Sequence, residues 1–206
     1  MAVVIYKRQQ QILDFIKQFI QSTGGAPSLR QIADAIGVNS LATVHEHLAS
    51  MVDKGLITKR GGKIRSIEPQ IPVNFSGNGI EVPILGFIAA GMPIEAYTDP
   101  NASMAIPQSF TTGTKRTYVL QVRGESMIED GIMDGDYVVI EQVENASDGE
   151  IVVALLDNGM ATLKRYFKEA TRIRLEPANS KMQPFFVKNV KIQGKVVGLI
   201  RRYGRN

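Results

Sequence analysis

Two segments of the chain hold side chains able to make and break a bond. In Val122-Arg-Gly-Glu-Ser126-Met127 a serine sits on a glycine-flanked turn, and in Ala161-Thr-Leu-Lys164-Arg-Tyr166 a lysine sits inside an apolar strand. The chain has no cysteine, and its two histidines, His45 and His47, fall in the N-terminal quarter. A Ser-Lys pair is therefore the only plausible nucleophile and base of the C-terminal part. A third segment, Leu85-Gly-Phe-Ile-Ala-Ala90-Gly91-Met-Pro93, supplies a small-residue peptide bond that such a pair could cut. Together the three describe a protein that cleaves itself.

Serine is a weak nucleophile at neutral pH, and lysine serves as its base only when desolvation populates the neutral amine. Period-two alternation puts Lys164 on one face with Thr162 and Tyr166, while Leu163 and Arg165 point the other way. That pattern fits a solvent-facing charge as well as a buried base. Gly124-Glu-Ser126 likewise reads as an ordinary turn as well as a nucleophile loop. Spacing alone leaves both pairs of readings open.

The elements that must position these groups fall into two modules. At 206 residues and 44% hydrophobic content the chain can bury two modest cores. Of its +4 formal charge, all the excess is N-terminal: residues 1 to 70 hold nine Lys/Arg against five Asp/Glu, and the remainder holds fifteen of each. A basic module joined to a neutral one fits an anionic partner, such as nucleic acid, that contacts only the first. No run reaches the roughly 18 apolar residues of a membrane span, and the N-terminus lacks a basic region followed by an apolar core. A soluble, cytoplasmic protein with no membrane partner is expected. Zero cysteine removes thiolate catalysis, disulfides and cysteine-ligated zinc. His45 and His47, two apart on a helix, make a poor metal pair, and no metal or cofactor is expected.

Residues 1–68 read as a winged helix-turn-helix. Ile12, Phe15, Ile16, Phe19 and Ile20 recur at helical spacing over residues 6–21, and Thr23-Gly-Gly-Ala-Pro27 stops the helix. Ser28 caps a second helix through Ile36 with Gly37 at its end, and Ser40 caps a third running to about Lys54. Leu41, Val44, Leu48, Met51 and Val52 form its packed face, and Ala42, Thr43, Glu46 and Ser50 its outer face. The second helix of such a pair enters the major groove by its N-terminal residues, here Asn39, Ser40, Ala42 and Thr43. His45 lies at the edge of the packed face, where it either supports the fold or reaches a base or phosphate. From Leu56 to Ile67 the chain reads as a β-hairpin turning at Gly61-Gly62, with Lys59, Arg60, Lys63 and Arg65 toward phosphate. A small helical domain with a solvated basic hairpin is the plainer reading.

Residues 69–81 mix Pro, Gly, Asn and Ser without periodicity and form a linker. Residues 82–206 give short β-branched runs at 118–122, 136–141, 150–156, 160–167, 172–175 and 190–200, with Asp157-Asn158-Gly159 as a hairpin turn. The fold class is α+β in two domains: the winged helix-turn-helix, then a mostly antiparallel β domain that carries the Ser-Lys dyad.

Gly124-Glu-Ser126-Met127, Asp130-Gly-Ile-Met-Asp134-Gly-Asp136, the lysine strand and the upstream Ala90-Gly91 stand in the order of the LexA-type repressors. Leu29-Arg-Gln-Ile-Ala33 and Thr43-Val-His45-Glu-His47-Leu also resemble that family, so the resemblance covers nearly the whole chain. It implies a self-cleaving regulator of the bacterial SOS response to DNA damage, found in the cytoplasm with the nucleoid. Ser126 matches the family's nucleophile, Lys164 its general base, and Ala90-Gly91 its scissile bond. The backbone amides of Ser126 and Met127 would hold the oxyanion. Ser28, Asn39, Ser40, Ala42, Thr43, His45 and Glu46, with Lys59, Arg60, Lys63 and Arg65, would contact operator double-stranded DNA. Residues 196–201 resemble the strand that makes the homodimer. A RecA filament on single-stranded DNA would favour the docked, cleavable state. The alternatives are a non-cleaving dimeric repressor, whose β domain only senses or dimerises, and a leader peptidase, which would need a membrane anchor.

Overall fold

The structure, a computed structural model, describes residues 5–59, 67–69, 79–89, 92–96, 99 and 101–203. It divides into two compact units, Met1–Val82 with Ala105–Thr117, and Pro83–Met104 with Tyr118–Asn206.

In the first unit, α1 (Lys7–Thr23) buries Ile12, Leu13, Phe15, Ile16 and Phe19 along one stripe. It ends where Gly24 takes a left-handed φ of 75° and its amide donates back to the Ile20 carbonyl. α2 (Leu29–Ile36) begins at a reciprocal cap: the Gln31 amide donates to Ser28 Oγ at 3.3 Å, and the Ser28 amide to Gln31 Oε1 at 2.8 Å. α3 (Leu41–Asp53) begins at Ser40, whose Oγ accepts from the Thr43 amide at 3.3 Å. Val44, Leu48 and Met51 pack its inner face onto α1 and α2. Two residues differ from expectation. Leu41 is 41% exposed, because the first turn of α3 projects beyond the core. Ser50 is not on the free face, since its hydroxyl accepts from the Gln9 side chain at 3.0 Å.

β1 (Ile57–Lys59) and β2 (Ile67–Pro69) pair antiparallel, with Lys59 opposite Ile67, as a hairpin requires. Residues 105–117 join this unit through a buried ion pair, Arg116 to Asp14 at 3.0 Å. Beside it the Gln18 side chain donates to the Thr117 carbonyl and accepts from its amide.

The remaining strands form one ten-stranded sheet: β3 (Gly79–Ala89), β4 (Glu95–Ala96), β5 (Ser103–Pro107), β6 (Thr117–Arg123), β7 (Tyr137–Glu141), β8 (Ile151–Leu155), β9 (Ala161–Lys168), β10 (Ile173–Glu176), β11 (Phe185–Val187) and β12 (Lys191–Ile200). Their order is β11-β10-β9-β8-β12-β7-β6-β3-β4, with β5 also on β3. Among the strand pairs of the described residues only β3 with β6 is parallel. β8 and β9 turn into each other at Asp157-Asn158-Gly159, where Gly159 has a φ of 81°. Both strands are covered on both faces: Val153, Ala161 and Leu163 belong to one apolar cluster, Val152, Ala154 and Tyr166 to another. A strand in that position buries side chains on both faces, here Ala161 to Lys164 in succession, whatever the alternation.

The expected linker ends earlier than residue 81, since β3 already begins at Gly79. Residues 70–78 of that linker lie outside the described residues.

Candidate active site

The nucleophile candidate leaves β6 through a tight turn. Gly124, at a φ of 98°, donates its amide to the Asp134 carboxylate at 2.7 Å, and Asn179 donates to the Glu125 carbonyl at 2.8 Å. Met127 then drops its side chain into the core, only 1% exposed, and its carbonyl accepts from the amides of Asp130 and Ile132. Ser126 is thus held between a pinned carbonyl and a buried anchor, with its hydroxyl turned toward β9. No described residue accepts from the amide of Ser126 or Met127.

Lys164 meets it there. Its Nζ lies 2.7 Å from Ser126 Oγ and donates to the Leu163 carbonyl at 2.8 Å. The residue is 3% exposed, so it is buried and not the solvent-facing charge that alternation also allowed. Burial, with no carboxylate partner among the described residues to offset it, lowers its pKa from 10.5 to about 8. At pH 7 that leaves about one molecule in ten with a neutral amine, against about three in ten thousand for an ordinary lysine.

The segment expected to be cut approaches from both sides. β3 runs parallel to β6 with Ala89 opposite Arg123, three residues before Ser126. Beyond the gap, Met92 bridges Ala161, which donates to the Met92 carbonyl at 2.8 Å, three residues before Lys164. Ala90 and Gly91 lie outside the described residues. The ends described on either side of them are fastened to the strand of the serine and the strand of the lysine.

On α3, Ala42, His45 and Glu46 are exposed, as are Asn39 and Ser40 before it, and Thr43 is half-buried. His45 therefore takes no part in the core. Ser28 Oγ is occupied in capping α2. Arg60, Lys63 and Arg65 lie outside the described residues, and of Lys59 only the backbone, in β1, is described.

Two family models account for most of the chain: a LexA DNA binding domain over residues 5–66, and a Peptidase S24-like domain over residues 83–197. A LexA repressor of Syntrophomonas wolfei is 46% identical over 95% of this chain and 96% of its own length. That of a Geobacillus species is 44% identical over the same shares. A third, from Koribacter versatilis, is 42% identical over 98% of this chain and 100% of its own. The chain belongs to the LexA repressor family.

Within this LexA family member, the S24-like domain holds residues to which the sequence pattern assigned no role. Arg165, beside Lys164, donates to Asp130 at 2.6 Å and to the Gly149 carbonyl at 2.7 Å. Asp130 stands in the short 3-10 turn Ile128–Asp130 that follows the nucleophile. Arg201, just past β12, makes a two-pronged bond to Asp136 and donates to the Gly131 carbonyl, each at 2.6 Å. Burial pushes the Asp136 carboxyl upward, but hydrogen bonds from Arg201 and the Met133 amide outweigh it and hold the group below the usual carboxylate range. The available signal was slight: Asp136 immediately precedes the apolar run of β7 and Arg165 interrupts that of β9, whereas Asp130 stands in an acidic, glycine-rich turn like any other. Among the described residues, no helix is long and apolar enough to cross a membrane.

Proposed function

We propose that this chain is a DNA-binding SOS repressor that inactivates itself by cutting its Ala90-Gly91 bond. The observation that carries the reading is the 2.7 Å contact between Lys164 Nζ and Ser126 Oγ at a buried lysine. Neutral Lys164 takes the Ser126 hydroxyl proton as Oγ attacks the Ala90 carbonyl carbon. The negative oxygen so formed is held by the amides of Ser126 and Met127. The C–N bond then breaks as Lys164 returns the proton to the leaving amine of Gly91. A water, deprotonated by the same amine, hydrolyses the Ala90 ester and frees Ser126.

Residues 1–68 form the DNA-reading domain, and behind a linker that ends before Gly79 the chain from β3 onward carries the self-cleavage and dimerisation domain. Asn39, Ser40, Ala42, Thr43, His45 and Glu46 face the operator, Ser28 supports the end of α2, and Lys59, Arg60, Lys63 and Arg65 meet phosphate. Two copies joined through residues 196–201 bind two half-sites, so cutting the link between reader and dimer removes the avidity that holds the operator. A RecA filament on single-stranded DNA acts in the cytoplasm by favouring the docked segment. The S24-like match and the buried lysine weigh against a non-cleaving repressor.

Incubating the full-length protein from pH 7 to 10, with mass spectrometry of the products, tests the reading. Fragments ending at Ala90 and beginning at Gly91, absent from Ser126→Ala, support it. A chain that stays intact even with a RecA filament added, or one cut equally in Ser126→Ala, overturns it.

A further inference from the structure

Upstream of the cut β3 is paired along β6, whereas the downstream end is held by few contacts among the described residues. β4 is two residues long, lies at the edge of the sheet, and among the described residues pairs through Gly86 with Ala96 and Phe87 with Glu95. The side chains of Met92, Pro93, Ile94, Glu95 and Ala96 are all exposed, so little apolar burial seats this segment. On the outer face, however, three strands are tied together. Arg123, the last residue of β6, lays its guanidinium 3.7 Å above the centroid of the Phe87 ring on β3 and ends in an ion pair with Glu95 on β4.

We propose that Arg123 and Glu95 are positioning residues for self-cleavage, a latch that crosses β3 and fastens β4 to the strand leading into the nucleophile. The proposal rests on the cleavage reading above. Phe87 lies before the bond to be cut and Glu95 after it, so one guanidinium grips both flanks, three residues ahead of Ser126. The stacked ring fixes the reach of the arginine, and the carboxylate fixes its end. Because so little else seats β4, a contact of modest strength changes the docked fraction in proportion. Both partners are about half exposed, so the pair itself shifts docking about two- to fivefold, and the stack adds a similar factor.

Two measurements on the full-length chain decide the matter. Hydrogen exchange is read in an uncleavable Ser126→Ala background, with and without Glu95→Gln or Arg123→Gln. The amides of Glu95 and Ala96 are expected to exchange about two- to fivefold faster in the first variant and up to about tenfold faster in the second, with β12 unchanged. Unchanged exchange at β4 overturns the latch. In the cleavable protein the rate constant should fall by similar factors, with partial recovery in Arg123→Lys. Added sodium chloride should slow the wild type and leave Glu95→Gln unaffected, a response that a purely steric role would not give. Faster exchange with an unaltered cleavage rate would overturn the positioning role. Should the parent chain prove uncut at Ala90-Gly91, the cleavage reading fails by itself, and the exchange arm still judges the latch.

Discussion

Arg165 and Asp130 join the strand of Lys164 to the turn that follows Ser126: the guanidinium donates to the carboxylate at 2.6 Å, one residue after Lys164 and four after Ser126. The second prong of Arg165, to the Gly149 carbonyl, ties the same side chain to the start of β8. Three chain segments thus share one cation.

Arg165→Gln should therefore slow self-cleavage about tenfold by letting the turn drift relative to β9. The pair is partly solvated, so the cost in stability is only about 1 kcal/mol. Rate constants alongside thermal unfolding separate the two effects. The pH midpoint of cleavage should stay where it is, because Lys164 keeps its own surroundings.

The cleavage rate should climb about tenfold per pH unit up to about pH 8 and then level, since only the neutral form of Lys164, whose pKa burial lowers to about 8, accepts the serine proton. A profile that is flat from pH 6 to 9, measured on purified protein without activator, would remove lysine as the base.

Lys164→Met should abolish cleavage and stabilise the fold at neutral pH. In the folded protein the amine titrates near 8, in the unfolded chain near 10.5. As pH falls through that window the unfolded state takes up the proton first, so native stability declines and then stays reduced below about pH 8. Relief of that penalty is about 3 kcal/mol at pH 7. Above pH 10.5 the advantage should vanish, which denaturant titrations at the two pH values can read.

In the DNA-reading domain, Ser28→Ala should cost about 1 kcal/mol of stability, because it strips the Gln31 amide of its cap. His45→Ala should leave stability within about 0.5 kcal/mol, as the ring is exposed, yet weaken specific operator binding by about 1–3 kcal/mol. Unfolding curves and fluorescence anisotropy on operator DNA give the two readouts. Equal stability loss in both variants would return His45 to a supporting role.

Helices α1 to α3 were legible because their stops and caps are local: Gly24, Ser28, Gly37 and Ser40 act within four residues of themselves. Six of the β-domain strands were legible from β-branched runs and from the Asp157-Asn158-Gly159 turn. The burial of Lys164 was not, because alternation reports the face of a strand and β9 is covered on both. β3 was partly hidden by Gly79, Pro83 and Gly86, which read as loop chemistry. Gly86 is there because a Cβ would stand 2.1 Å from the Glu95 carbonyl oxygen, and that constraint belongs to a strand ten residues further along the chain. The same non-locality hid β4 and the Arg123–Glu95 pair. Ser126 and Lys164 were recoverable as types, while the 2.7 Å between them is a property of the sheet.

β3 precedes the bond to be cut and yet is woven into the sheet beside β6, with Ile84, Phe87 and Ala89 in register with Val119, Gln121 and Arg123. Hydrolysis after Ala90 would therefore leave a severed strand still zipped to its former domain. Bond scission and fragment release become two separate clocks. The second runs at the pace of peeling one parallel strand out of a folded sheet, so a repressor already cut can remain, for that interval, a repressor in place.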